Sequence, residues 1–203
     1  MRTARAMSAD LPFACRCGAV RYVLHNASAR EGERLTCHCR DCQAFARFDR
    51  EPERLLGDDG GTDLFVARCT NLEITQGKAE LASLHLTERP TLRWYARCCD
   101  TPLFNSYKNG KLPYLTVVLA NCEQSDIDAH LGPVRGHLFV EHAPQPTPNR
   151  NFPTIRLAPR FTMRFLFDIL SGNRRRSPLF DSETLQPIAV PEGPPSQKAA
   201  HVR

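Results

Sequence analysis

The sequence predicts a mainly β domain followed by a C-terminal helix and a tail, and three observations predict it. Short apolar runs separated by turn residues fill the first two-thirds of the chain. Composition then changes: 6 of the 16 prolines precede Ala143 and 10 follow it. The one apolar run of helical length, Phe161–Leu170, lies beyond that change.

The expected strands, in order, are Val20–Leu24, Leu64–Ala67, Leu81–Thr87, Thr91–Ala96, Leu115–Leu119 and His137–Val140. Asp58, Asp59, Gly60 and Gly61 mark a turn ahead of the second, and Asn109-Gly110 marks a hairpin turn ahead of the fifth. In Thr91–Ala96, Leu92, Trp94 and Ala96 alternate with Thr91, Arg93 and Tyr95, the period of a half-buried strand. Ala143–Pro153, APQPTPNRNFP, reads as a linker or wrapping segment. The predicted helix ends at Ser171-Gly172, with Arg174, Arg175 and Arg176 just beyond. A short apolar helix of this kind is expected to pack on its own domain and leave the arginines in water. The expected organisation is therefore a β domain over residues 13–142, a Pro-rich linker with the helix over 143–186, and a disordered tail over 187–203.

Composition excludes some functions. The 203 residues are 41% hydrophobic and 24% charged, which suits a packed core, and no apolar run is long enough to cross a bilayer. The start lacks the apolar core of a secretory signal, so a cytoplasmic, reducing location is expected. The net charge of +5 belongs to the tail: residues 1–142 hold 18 Lys and Arg against 18 Asp and Glu, and residues 143–203 hold 9 against 4. A neutral main domain is a poor reader of phosphates, so no nucleic-acid partner is expected for it.

The nine cysteines carry the chemistry. Their close spacing makes a poor disulfide framework and a good ligand set. Cys37, Cys39 and Cys42 can wrap one zinc ion and leave a fourth position open to a thiol, hydroxyl or carbonyl. Cys15 and Cys17 make half of a closed structural site, and Cys98 with Cys99 is the available other half. One or two zinc ions per chain are therefore expected. Cys69 and Cys122, isolated in strand-like contexts, are expected to pack in the core. His38 alternates with its cysteine neighbours, so it points away from them, which implies a surface or supporting role. His85 and His137 have no partner pattern.

The order C-R-C-G at Cys15 to Gly18, C-H-C-R-D-C at Cys37 to Cys42, and T-P-L at Thr101 to Leu103 after a cysteine pair resembles the glutathione-dependent formaldehyde-activating enzyme and centromere protein V family, over roughly Phe13 to Val140. The resemblance implies a tent-like (Mss4-like) β fold with a structural zinc and a catalytic zinc, the latter on Cys37, Cys39 and Cys42. It implies a carbon–sulfur lyase reaction in which glutathione and formaldehyde give S-hydroxymethylglutathione. The later family motif is C-x-x-C-G-T-P; here Ala96 stands on its first cysteine, Cys99 on its second and Asp100 on its glycine. One structural ligand has thus moved or gone, and Cys98 is the expected substitute if it has moved.

Three functions follow as expectations. The first is a zinc-dependent enzyme acting on a thiol adduct of a small aldehyde, by stabilising negative charge on sulfur or oxygen. A glutathione pocket wants cations; Arg40, Arg47 and Arg93 lie near the motifs, each read first as a solvated surface arginine. The second is a non-catalytic zinc-binding module that engages a protein or a surface. The third, thiol redox sensing, is weaker because no separate resolving cysteine stands out.

Overall fold

The computed structural model describes residues 8–153 and 158–193. Among these residues the chain is mainly β. The strands are β1 (Ala9–Ala14), β2 (Arg21–Ala27), β3 (Glu33–Cys37), β4 (Thr62–Arg68), β5 (Leu72–Gln76), β6 (Leu81–Leu84), β7 (Thr91–Ala96), β8 (Thr101–Tyr107), β9 (Tyr114–Val118) and β10 (Gly136–Leu138). The helices are α1 (Arg40–Ala46), α2 (Ile127–Leu131) and α3 (Ala158–Leu170).

Two sheets form, one in the order β1-β2-β5 and a larger one in the order β10-β3-β4-β9-β8-β7-β6. Pairing is antiparallel except for β10, which lies parallel to β3 with His137 opposite Thr36. The main core joins the sheets: Phe13 stacks on Tyr22 at 4.9 Å, and Tyr22 meets the edge of Phe104 at 4.7 Å. Leu92, Trp94 and Ala96 of β7 enter this core, as their alternation predicts. The opposite face of β7 is buried too, contrary to the half-buried expectation. Phe45 of α1 packs there with Tyr95, and Phe48 meets the Tyr95 ring edge-on. Pro90 ends the preceding segment, which explains why β7 begins where the sequence predicts.

The linker boundary near residue 143 does not isolate the C-terminal segment. Leu179 and Phe180 belong to the main core, and the Phe180 ring meets Trp94 edge-on at 6.0 Å. Burying two such side chains stabilises the domain by roughly 1.5–3 kcal/mol each. Gly172, predicted at the helix end, adopts φ 74°, which only glycine enters without cost. The expected disordered tail needs correction over residues 187–193. Glu192 forms a bridge with Leu84, its N–H donates to the Ser83 carbonyl at 2.7 Å, and its carboxylate accepts from the Tyr95 hydroxyl at 2.8 Å. Polar anchoring of this kind leaves no hydrophobic signal in a proline-rich sequence. Residues 194–203 lie outside the described residues.

No helix among the described residues is long and apolar enough to cross a membrane. The outer face of α3 nonetheless exposes Met163, Leu166, Phe167 and Leu170, at positions i, i+3, i+4 and i+7. Its inner face carries Asp168, which is fully buried and ion-paired with Arg68. Of the three arginines that follow, Arg174 donates to the Lys111 carbonyl and Arg175 to the Ser182 and Glu183 carbonyls. Those two pin the turn after the helix rather than standing free in water.

Candidate metal centres

The folded chain gathers seven of the nine cysteines into two separate clusters. In the first, the Sγ atoms of Cys15, Cys17, Cys98 and Cys99 all lie within 4.8 Å of one another. Cys15 and Cys17 sit 3.6 Å apart, Cys15 and Cys98 3.9 Å, Cys17 and Cys98 3.3 Å, and Cys98 and Cys99 3.8 Å. Four sulfurs about 2.3 Å from a tetrahedral ion stand about 3.8 Å apart, so the donor set fits a closed thiolate site. Local backbone explains the convergence. The turn after β1 closes with Gly18 N–H donating to the Cys15 carbonyl, and Gly18 has φ 76°. Val20 N–H donates to the Cys15 sulfur at 3.2 Å. Cys98 and Cys99 occupy the tight connection between β7 and β8, across from that turn. Burial works against ionisation of Cys99, but hydrogen bonds from Thr101 and Cys17 bring its thiol down to about 7. Ala96 is fully buried in the core, while Cys98, two residues on, supplies the fourth sulfur.

In the second cluster, Cys37 ends β3, Cys39 caps α1 and Cys42 lies in its first turn, and all three are buried with their sulfurs within 4.8 Å. Cys42 N–H donates to the Cys39 sulfur at 3.3 Å. The strand-to-helix corner thus wraps three donors around one point, something extended chain could not do. Hydrogen bonds from Cys37 and Cys42 pull the Cys39 thiol well below its ordinary value, and the same contact to Cys39 pushes Cys37 up. No fourth His, Cys or carboxylate joins this cluster among the described residues. The sulfurs instead border a cavity of about 210 Å³ whose wall also includes Arg93, Asn105, Tyr114, Thr116 and Asp41. Three protein donors beside a cavity fit an open metal site.

Arg93 corrects the reading of the motif arginines as solvated. Arg40 and Arg47 are exposed, but Arg93 is 5% exposed. Its guanidinium donates to the Cys42 sulfur at 3.6 Å and to Asn105 Oδ1 at 2.8 Å, and it lies over the Phe45 ring. Asn105 in turn donates to Thr116 Oγ1 at 2.8 Å. Neither Asn105 nor Thr116 belongs to a motif legible in the sequence. The signal for Asn105 is the pair Asn105-Ser106 directly after Leu103 and Phe104 in β8, since polar residues buried in a strand need partners.

The remaining candidates divide. Cys69 is buried as expected, and burial pushes its thiol up to about 12. Cys122 is half-buried against the core. His38 points away from the sulfurs, as alternation predicts, but it is fully buried and not a surface residue.

No curated protein matches the chain. Among solved structures, the crystal structure of a Rhodobacter sphaeroides protein is similar at 20% identity and a TM-score of 0.41, over 61% of this chain and 96% of that one. A family described as a family of unknown function (DUF6151) matches residues 7–191, and the chain belongs to that family.

Proposed function

We propose that this chain is a zinc protein with a closed site at Cys15, Cys17, Cys98 and Cys99 and an open site at Cys37, Cys39 and Cys42. We propose further that the open site makes or breaks the carbon–sulfur bond in a thiol adduct of a small aldehyde. The observation that carries this reading is the meeting of three buried sulfurs with a cavity that also holds a buried arginine. The sequence resemblance to the formaldehyde-activating family supplies the reaction class. Asp100 supports it: the residue standing on that family's glycine adopts φ 58°, the backbone glycine favours.

A zinc ion bound there would act as a Lewis acid on a thiol or hydroxymethyl oxygen. The protein's own groups would do the rest. Arg93 would hold negative charge at the cavity wall, with Asn105 and Thr116 fixing its orientation. Tyr114 and Thr116 would offer polar contacts to a small oxygenated substrate. Glutathione, with two carboxylates, is the thiol to try first, and Arg89, paired with Asp41 at 3.7 Å on the same cavity, is a cation for one of them.

The test is turnover of formaldehyde with glutathione, followed by NMR exchange on zinc-loaded full-length protein. Cys39→Ala should abolish it and leave the fold intact, whereas Cys17→Ala should chiefly lower thermal stability. Turnover undiminished in Cys39→Ala would overturn the catalytic assignment. A second reading, a non-catalytic zinc module for a protein or surface partner, is favoured by the exposed apolar stripe on α3. It predicts no turnover, and loss of partner binding in Leu166→Glu or Leu170→Glu with zinc content unchanged.

A further inference from the structure

We infer that His38, His137 and Asp59 form a third metal site, distinct from both cysteine clusters, for a borderline divalent cation such as Zn²⁺ or Co²⁺. The strand register builds it. Thr36 and His38 share one face of the β3 end, while Leu35 and Cys37 take the other. β10 runs parallel to β3 with His137 opposite Thr36, so His137 lies on the same face as His38. His38 N–H donates to the Leu138 carbonyl at 2.9 Å, which extends the ladder and fixes the two histidines side by side.

The donor atoms converge. His38 Nε2 lies 3.1 Å from His137 Nδ1 and 3.7 Å from Asp59 Oδ2, and the three ligand atoms lie within 4.8 Å of one another. Bonds of about 2.0–2.1 Å place neighbouring donors about 3.0–3.4 Å apart around one ion. The protons explain why a cation fits. His38 Nδ1 faces the Asp59 backbone carbonyl at 3.4 Å, and a carbonyl only accepts. The His38 proton therefore belongs on Nδ1, which leaves Nε2 with a bare lone pair. A metal-binding histidine commonly has this arrangement, one ring nitrogen held by a carbonyl and the other free to ligate. The Asp59 carboxylate is held in place by donors, Gly61 N–H on Oδ1 at 3.1 Å and Thr147 and Asn149 on Oδ2 at 3.4 and 3.5 Å. Its Oδ2, His38 Nε2 and His137 Nδ1 face one point, and one divalent ion can take a lone pair from each.

The surroundings fix the ligands and leave an open side. Gln43 donates to the His38 carbonyl at 2.7 Å and to the His142 carbonyl at 2.8 Å, tying the cysteine motif to the chain beyond β10. At Gly61 a Cβ would meet Thr36 Cγ2 at 2.4 Å and His38 Cε1 at 2.7 Å, so the Asp59 turn passes hard against the ring. His137, Asp59 and Asp63 border a cavity of about 430 Å³, where water or a small ligand would complete the coordination. Nitrogen and oxygen donors suit zinc, cobalt or nickel and separate this site from the thiolate clusters.

The experiment adds two equivalents of zinc to the full chain, which the two thiolate clusters take first, confirms that the thiols are protected, then titrates Co²⁺ and measures bound cobalt by elemental analysis and absorption. The expected result is one further equivalent of cobalt with no thiolate-to-cobalt charge-transfer absorption. Both His137→Ala and Asp59→Asn should lose that equivalent while keeping wild-type zinc content and circular dichroism. No uptake by the wild type, uptake unchanged in both variants, or thiolate charge transfer in the added cobalt would each overturn the site. These readouts involve no turnover and no cysteine substitution, so they separate failure of this site from failure of the cysteine-centred reading.

Discussion

Arg93 sets its guanidinium 3.6 Å from the Cys42 sulfur and donates to Asn105 Oδ1 at 2.8 Å. A buried cation is costly unless charge compensates it. Burial works against the Arg93 charge, and negative charge on the Cys42 and Cys39 sulfurs, with the hydrogen bond to Cys42, more than offsets that, so its pKa rises.

The expected outcome for Arg93→Met, which keeps volume and removes charge, is weaker ion retention at Cys37, Cys39 and Cys42 by about 10–100-fold, the range seen when a partner of a metal ligand is lost. Chelator competition followed through zinc release measures it. Arg93→Lys should fall between, because a lysine keeps the charge and loses the planar fork that reaches sulfur and Asn105 together. Ion retention at the other cysteine cluster should not change, since Arg93 makes no contact there. Equal release from wild type and Arg93→Met would remove Arg93 from the site.

Asp168 and Arg68 hold α3 to β4. The Asp168 side chain is fully buried, the Arg68 side chain is 23% exposed, and Nε of the arginine donates to Oδ2 at 2.9 Å. Arg68→Met strands a carboxylate in the interior and should cost about 3–5 kcal/mol, while Arg68→Met with Asp168→Leu should recover most of it. Thermal melts of the single and double variants decide this. A single variant that melts with the wild type would show that the pair does not secure the helix.

How far the sequence reaches depends on how local each signal is. Trp94 and its neighbours declare β7 within six residues, and Gly172 declares the end of α3. β3 is different: its buried residues include Glu33, 1% exposed and ion-paired with Arg135 at 3.1 Å, so apolar alternation does not reveal it. β8 is hidden for the same reason, since Asn105 and Ser106 are buried through Arg93 and Trp94 rather than through hydrophobicity. The cysteine spacing makes both clusters legible, Cys98 included. His38 and His137 meet across a parallel pairing of segments far apart in sequence, and no local pattern announces such a contact.

His25 bridges two carboxylates, with Nδ1 at 2.9 Å from Asp10 and Nε2 at 2.7 Å from Glu73. Hydrogen bonds to Asp10 and Glu73 raise its pKa, and the bond to His25 lowers that of Asp10. The raised histidine contributes stability that is complete below the ordinary His value of about 6.5 and is lost as pH rises through its folded value. The lowered carboxylate contributes above the ordinary Asp value of about 3.9 and loses it as pH falls. The cluster is therefore most stabilising between about pH 4 and pH 6.5. An NMR titration should show His25 titrating above an ordinary histidine, and Asp10→Asn should bring it down. A His25 midpoint indifferent to Asp10→Asn would break the assignment.

Phe180 lies 5% exposed against Trp94, in a segment whose proline content suggests linker rather than core. Phe180→Ala removes a ring from that contact and should cost about 3–5 kcal/mol. At this chain length that corresponds to about 6–20 °C in Tm. Truncation after residue 172 should do at least as much, because it also removes Leu179 and the Glu192 strap over β6. Zinc content is the second readout. Phe180 shares the main core with Cys15 and Cys99 but supplies no donor to either cysteine cluster, so folded Phe180→Ala at low temperature should carry wild-type metal. A Phe180→Ala variant that melts like the wild type would mean the segment from 173 onward only covers the domain and does not complete its core.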